Sequence, residues 1–96
     1  MRARDHLRKA LMLLDRGFAD RGESSLTTAI TAAEQEPDVA TLVTALCCLG
    51  DLYAQQNRPA EARTALTACL AVEVPPALDD VCATPRAQAH SLLTTL

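Results

Sequence analysis

The chain has 96 residues and a hydrophobic fraction of 49%, which is enough for one folded domain with its own core. Aromatic residues make up only 2%, so the core must be built from leucine, alanine, valine and cysteine, and few β-branched runs interrupt them. This composition favours packed helices. The formal charge of −3 argues against binding to a nucleic-acid phosphate backbone.

The start of the chain is charged and lacks the apolar run and small-residue cleavage site of a secretory signal peptide. No apolar stretch approaches the roughly 20 residues that span a bilayer. We therefore expect a cytoplasmic protein with no membrane partner. In a reducing compartment its four cysteines are expected to be free thiols.

The first half of the chain predicts two amphipathic helices, over about residues 3–19 and 24–35. Ser24 is the predicted cap of the second helix, and Gly22 is predicted to stop the first helix or start the turn. Residues 36–38 break the pattern, because the residue before a proline avoids helical backbone angles. The apolar faces consist of Leu7, Ala10, Leu11, Leu14 and Phe18 in the first helix, and of Leu26, Ala29, Ile30 and Ala33 in the second.

Two further helices are predicted over about residues 38–56 and 59–72, with Pro59 in the first turn of the fourth helix. The third helix has an apolar face of the same residue classes as the first, 35 residues later, and the fourth repeats the second at an offset of 36. This agreement in both halves predicts an internal repeat. The repeated faces consist of Leu42, Ala45, Leu46, Leu49 and Tyr53, and of Ala62, Ala65, Leu66 and Cys69.

The C-terminal part does not follow the repeat. Pro75 and Pro76 end the fourth helix, and residues 77–84 are read as a loop or a short helical turn. Thr84 and Pro85 form a good helix start, as cap and first-turn residue. We expect a last helix over residues 85–96 that covers the exposed face of the fourth helix, as the end of a stack of repeats requires.

The central motif is Leu46-x2-Leu49-Gly50-x2-Tyr53, followed by Ala62-x3-Leu66 and then by the two prolines. Its spacing resembles one tetratricopeptide repeat (TPR), a helix–turn–helix unit of about 34 residues. The family places a large aromatic residue where Leu46 stands and often another where Leu66 stands. The first copy has Asp15 at the family's glycine position, which predicts a looser or more tilted first hairpin.

The resemblance implies an all-α fold in a single domain, residues 1–96. This would be a TPR-like right-handed stack of two hairpins, about residues 4–35 and 39–72, followed by a loop over 73–84 and a capping helix over 85–96, about five helices in all. In this family the first helix of each hairpin lines a concave groove. The groove positions that the resemblance implies are Lys9, Met12, Arg16, Asp20, Thr44, Cys47, Asp51 and Gln55.

These groove positions predict a peptide of mixed charge as the ligand, held by Lys9 and Arg16 from one hairpin and by Asp51 from the next. The alternative is that they are ordinary solvated residues. The family's carboxylate-binding version needs a specific set of lysine, asparagine and arginine. Thr44 and Asp51 break this set, so capture of a C-terminal carboxylate is not expected.

Neither a metal site nor a catalytic site is predicted. Cys47 and Cys48 are adjacent and point about 100° apart on a helix, so they cannot chelate one ion together. With Cys69, Cys82 and His90 they lack the paired spacing of structural zinc sites. Core or groove-edge thiols are expected, with metal binding and redox sensing as the alternatives. Without a nucleophile elbow or a glycine-rich phosphate loop, we expect no enzyme and no cofactor.

The leading functional hypothesis is therefore a protein–protein interaction module that binds a peptide or protein segment in a concave groove. One alternative is a dedicated chaperone, or a neutralising, immunity-like partner of a bacterial secreted protein or toxin. Another is a fragment of a larger TPR-containing regulator whose remaining repeats cover the ends. Self-association as a homodimer through an open end is a further alternative.

Overall fold

The computed structural model describes residues 1–96 and contains five α-helices and no β-strand. The α-helices are α1 (Ala3–Asp15), α2 (Ala19–Gln35), α3 (Val39–Gln55), α4 (Pro59–Ala71) and α5 (Asp79–Thr95), and a 3₁₀ turn at Pro76–Leu78 precedes α5. α1 packs on α2 and α3 on α4 as two hairpins, α2 also packs on α3, and α5 lies against both α3 and α4. The predicted all-α fold built from helical hairpins is confirmed. No helix combines the length and the apolar character that crossing a membrane requires.

The two hairpins have the same connecting turn. Gly17 in the first turn and Asn57 in the second adopt positive φ angles of 85° and 60°, a region that glycine and asparagine tolerate best. The backbone N–H of Phe18 donates to the Leu13 carbonyl at 2.9 Å, and that of Arg58 donates to the Tyr53 carbonyl at the same distance. Each residue of the second turn follows its counterpart in the first turn by 40 positions, so the structure repeats at an offset of 40 residues.

The predicted offsets of 35 and 36 are therefore corrected by the structure. For the second helix of each hairpin the error is four residues, about one helical turn, which leaves nearly the same face inward. For the first helices the error is five residues, which points a different face of the helix inward. Leu11 and Phe18, which were predicted to belong to the apolar face, are 40% and 47% exposed. At the offset of 40 residues, five buried residues of the first hairpin correspond to buried residues of the second. The coinciding pairs are Ala3 and Val43, Ala10 and Gly50, Gly22 and Ala62, Leu26 and Leu66, and Ala29 and Cys69.

Two predicted boundaries in the first hairpin also change. α1 ends at Asp15, and Gly17 rather than Gly22 occupies the turn. α2 begins at Ala19, so Ser24 lies inside the helix and does not cap it. The Ser24 carbonyl instead accepts a hydrogen bond from the Thr28 hydroxyl at 3.0 Å.

Each hairpin contains one close approach between its helices. A Cβ atom on Gly50 of α3 would overlap Cδ2 of Leu66 on α4. A Cβ atom on Gly22 of α2 would lie 2.5 Å from Cδ2 of Leu14 on α1. At the offset of 40, Ala10 rather than Asp15 corresponds to Gly50, and the first hairpin has its close approach at a glycine on its second helix.

Two carboxylates at the connection between the hairpins accept hydrogen bonds from backbone N–H groups at the starts of α1 and α3. The Asp38 side chain accepts hydrogen bonds from the Thr41 backbone N–H at 3.1 Å and from the Thr41 hydroxyl at 2.7 Å, and so caps α3. The Glu36 carboxylate accepts a 2.7 Å hydrogen bond from the backbone N–H of Ala3 at the start of α1. The end of α2 therefore holds the beginning of α1 in place.

The predicted loop over residues 73–84 and helix over 85–96 are also corrected. α5 begins at Asp79, and Pro85 is inside it. Asp79 and Asp80 in its first turn complement the positive end of the helix dipole. Pro85 removes one hydrogen bond within the helix, to the carbonyl of the exposed Val81, where water can replace it.

α5 covers the second hairpin, in the capping position expected of the last helix. Its buried residues Cys82 and Ala89 pack with Val43, Leu66 and Cys69, so that it covers α3 as well as α4. A second core cluster joins the two hairpins. That cluster consists of Ala10, Leu26, Ala29, Ala45, Leu49, Leu52 and Ala65.

Candidate functional site

A cleft of about 460 Å³ opens between α1, α3 and α5. We call it the α1–α3–α5 cleft. Its apolar side chains come from all of α1, α2 and α3, and its polar side chains from α1, α3 and α5. The apolar residues are Leu11, Leu14, Ala19, Cys48 and Leu52, and the polar ones are Asp15, Asp51, Gln55 and Gln88.

α3 forms the floor of this cleft because of its residue spacing. Cys48, Asp51, Leu52 and Gln55 follow one another at i, i+3, i+4 and i+7, which places them on one helical face. Leu52 is buried, Cys48 and Asp51 are half-buried and Gln55 is exposed, so the face runs from the core to solvent. The arrangement gives an apolar floor with polar groups near the opening, as ligand sites commonly have.

The structure places two of the eight predicted groove residues in the α1–α3–α5 cleft. Asp51 and Gln55 line the α1–α3–α5 cleft. Cys47 is instead buried against α5 in the core, and Thr44 is half-buried one turn before it on α3.

The four predicted groove residues of the first hairpin lie outside the cleft. Met12 and Arg16 are exposed on α1 and at its end. Lys9 and Asp20 line a separate open depression between α1 and α2. Asp20 belongs to the first turn of α2, because α1 ends earlier than predicted. The predicted set thus divides between different surfaces of the molecule.

Sequence reasoning missed several residues that line the cleft. Cys48 and Leu52 could have been found from the i, i+3, i+4, i+7 spacing around Asp51 and Gln55. Gln88 could not, because its place depends on where α5 packs. The carboxylate of Asp15 was considered only as a substitute for glycine.

The cleft carries negative charge without a matching positive charge. Asp15 and Asp51 are acidic, and no lysine, arginine or histidine lines the cleft. Asp51 accepts one hydrogen bond, from the Gln55 amide nitrogen at 3.2 Å. The ion pairs of the protein both involve Arg58, which joins Glu23 and Glu61 elsewhere. Lys9 and Arg16, which the sequence analysis expects to supply positive charge, do not line this cleft.

A second depression, of about 390 Å³, lies on another face of α3, between α2 and α4. It is mainly apolar, with Ile30, Leu46 and Tyr53 among its lining residues and Thr64 at its edge. The Tyr53 ring is covered by the Arg58 guanidinium, 4.4 Å from the ring centroid. Thr64 lies on α4, which contributes no residue to the α1–α3–α5 cleft, and therefore offers a position for a control substitution.

No protein-family model, curated protein or solved structure matches this chain. The fold is therefore described by its own geometry, as five α-helices of which four pack as two hairpins. The resemblance to the TPR family rests on the spacing of residues 46–66.

Three thiols, those of Cys48 in the cleft and of Cys47 and Cys69 in the core, are held in the protonated form. Burial raises the pKa of Cys47 to about 12, with smaller contributions from Cys48, Cys69 and Asp51. Burial also raises the pKa values of Cys48 and Cys69. Because the thiolate is the reactive form, these thiols are poor nucleophiles at neutral pH. No three histidine, cysteine, aspartate or glutamate side chains are grouped as a metal ion would require.

We expect the protein to lose stability at alkaline pH because of these three thiols. Above their ordinary pKa of 9.0 the unfolded chain releases thiol protons that the folded chain retains, so the unfolded state binds fewer protons. The free energy of unfolding should then fall with rising pH, by about 1.4 kcal/mol per thiol and pH unit. For Cys47 the fall should continue up to a pH of about 12. Urea unfolding at several pH values measures this slope.

Cys47→Ala is the matched control for this prediction. The variant should begin less stable, because it leaves a cavity, but its stability should depend less steeply on pH. A free energy of unfolding that stays constant between about pH 8 and pH 11 in the unmodified protein would contradict the assignment.

Proposed function

We propose that this protein is a TPR-like right-handed stack of helical hairpins that binds a peptide or protein segment in the α1–α3–α5 cleft. The proposal is supported first by position. In TPR proteins the first helix of each hairpin lines the binding groove, and here the cleft is lined by α1 and α3, the first helices of the two hairpins, and by α5, which follows them.

The observation that carries the proposal is the lining of the cleft. Its apolar lining, which includes Leu14 and Leu52, can bury an apolar side chain of a ligand. Its polar groups can position the ligand by hydrogen bonds. The volume of about 460 Å³ suits a few side chains rather than a whole domain. A segment of a partner protein is therefore the favoured ligand.

Substitution of Asp51 tests this proposal. The full chain is used to capture partners from native extract, and the captured proteins are identified by mass spectrometry. Asp51→Lys reverses the charge in the cleft and should remove the specific partners. Thr64→Lys places the same side chain at the edge of the mainly apolar depression between α2 and α4, and this variant should retain the partners.

Arg16→Glu distinguishes this cleft from a mixed-charge groove. Because Arg16 does not line the cleft, the variant should retain the partners. Circular dichroism must show unchanged helicity in all three variants. Retention of every partner by a folded Asp51→Lys variant would contradict the proposal.

A further inference from the structure

Asp15 of α1 and Asp51 of α3 both line the α1–α3–α5 cleft, whose other lining residues are apolar or uncharged. Neither carboxylate takes part in an ion pair. Asp51 is half-buried, and its charge contributes to the raised pKa of the neighbouring Cys48 thiol. The negative charge of Asp51 is therefore felt at the floor of the cleft and is not cancelled within the protein.

We propose that the α1–α3–α5 cleft selects a segment in which an arginine or lysine stands between apolar residues. This inference rests on the proposed function and adds the chemistry of the ligand. It departs from the mixed-charge peptide that the sequence predicts, because Lys9 and Arg16 lie outside the cleft.

The chemistry of the lining fits a long cationic side chain. The methylene groups of arginine or lysine can lie along Leu11 and Leu14, while the charged end remains near the carboxylates. A guanidinium can donate two parallel hydrogen bonds to a carboxylate, which are stronger than bonds between neutral groups. The side-chain amides of Gln55 and Gln88 provide further acceptors.

The same lining disfavours acidic segments. A ligand carboxylate placed in the cleft would face two like charges and no cation. An apolar segment without charge would leave Asp51 partly desolvated and unpaired, at a cost that a cationic segment avoids. Selection for a basic residue is thus the expected result of the charge and the burial together.

A displayed library of random peptides, selected against the full chain, tests this inference. Enriched peptides should contain arginine or lysine beside leucine or a similar residue. A synthesised member should bind at least tenfold more weakly to Asp51→Asn than to the unmodified protein. Asp80→Asn, which changes the net charge equally at an exposed position outside the cleft, should bind it unchanged.

Replacement of the peptide's arginine by citrulline, which keeps the shape and removes the charge, should also weaken binding at least tenfold. Amide chemical shifts measured by NMR should place the peptide at Asp51 and Gln55. Neutral or acidic peptides that bind there would overturn this inference and leave the proposed function standing. Failure to enrich any peptide, or binding confined to another surface, would overturn both.

Discussion

Truncation of Leu66 to alanine is expected to lower the free energy of unfolding by about 3–5 kcal/mol. Leu66 is fully buried, at 0% exposure, and packs with Val43 and Cys69 beneath α5. Its methyl groups also cover the surface of α3 at Gly50. The loss combines the transfer energy of the removed atoms with a cavity that neighbouring helices cannot fill. Because small domains are stable by only about 5–15 kcal/mol, this is a large fraction.

Urea unfolding followed by circular dichroism measures the effect of the Leu66 substitution. Val81→Ala is the control, since Val81 is 59% exposed on α5 and truncation there should change stability by less than about 0.5 kcal/mol. Equal effects of the two substitutions would show that Leu66 is not part of the core.

Replacement of Gly50 by alanine is expected to destabilise the protein by up to about 2 kcal/mol. Alanine gains about 1 kcal/mol of helix propensity in the middle of α3. Against this, its Cβ would overlap Cδ2 of Leu66, whose side chain is fully buried. Overpacking of this kind costs about 1–3 kcal/mol, so the steric effect is expected to exceed the gain.

A double-mutant cycle with Leu66→Ala separates the two contributions to the Gly50 effect. Once Leu66 is truncated, the added methyl group enters vacated space, and Gly50→Ala should become stabilising by about 1 kcal/mol. Gly22→Ala is the matched substitution in the first hairpin. Its neighbour Leu14 is only half-buried and can rotate away, so its effect should be much smaller. The same loss in both backgrounds of the cycle would contradict direct contact between Gly50 and Leu66.

The helices themselves could be predicted from apolar periodicity, but the register of the repeat could not. Shifting a helix by four residues turns its inward face by only about 40°, so the match of Leu26 to Ala62 looked as good as its true match to Leu66. The decisive signals are the turns at Gly17 and Asn57, which share positive φ angles. These two residues look unrelated in sequence, because glycine and asparagine reach that conformation for different reasons.

The C-terminal helix shows a second limit of prediction from the sequence alone. Thr84-Pro85 is a strong local start signal, yet α5 begins at Asp79. The burial of Cys82 against the second hairpin favours helix before the proline, although a proline inside a helix costs about 3 kcal/mol or more. Local rules cannot weigh a contact with residues far away in sequence.

The candidate site could be predicted on α3 but only in part. Asp51 and Gln55 follow from the TPR-like spacing, whereas Cys47 and Cys48 differ by about 100° around the helix axis. Which of the two faces the cleft depends on where α5 packs, and α5 covers Cys47. The positions taken from the first hairpin were displaced because the assumed register was wrong.

The central place of α3 has a consequence for motion. This helix packs against α1, α2, α4 and α5, whereas α1 and α5 each have an outer side in solvent. Its amide hydrogens should therefore exchange with deuterium only when the whole molecule opens, and later than those of the two outer helices. A bound segment would then rest on the most rigid part of the protein, while the walls beside it remain free to adjust.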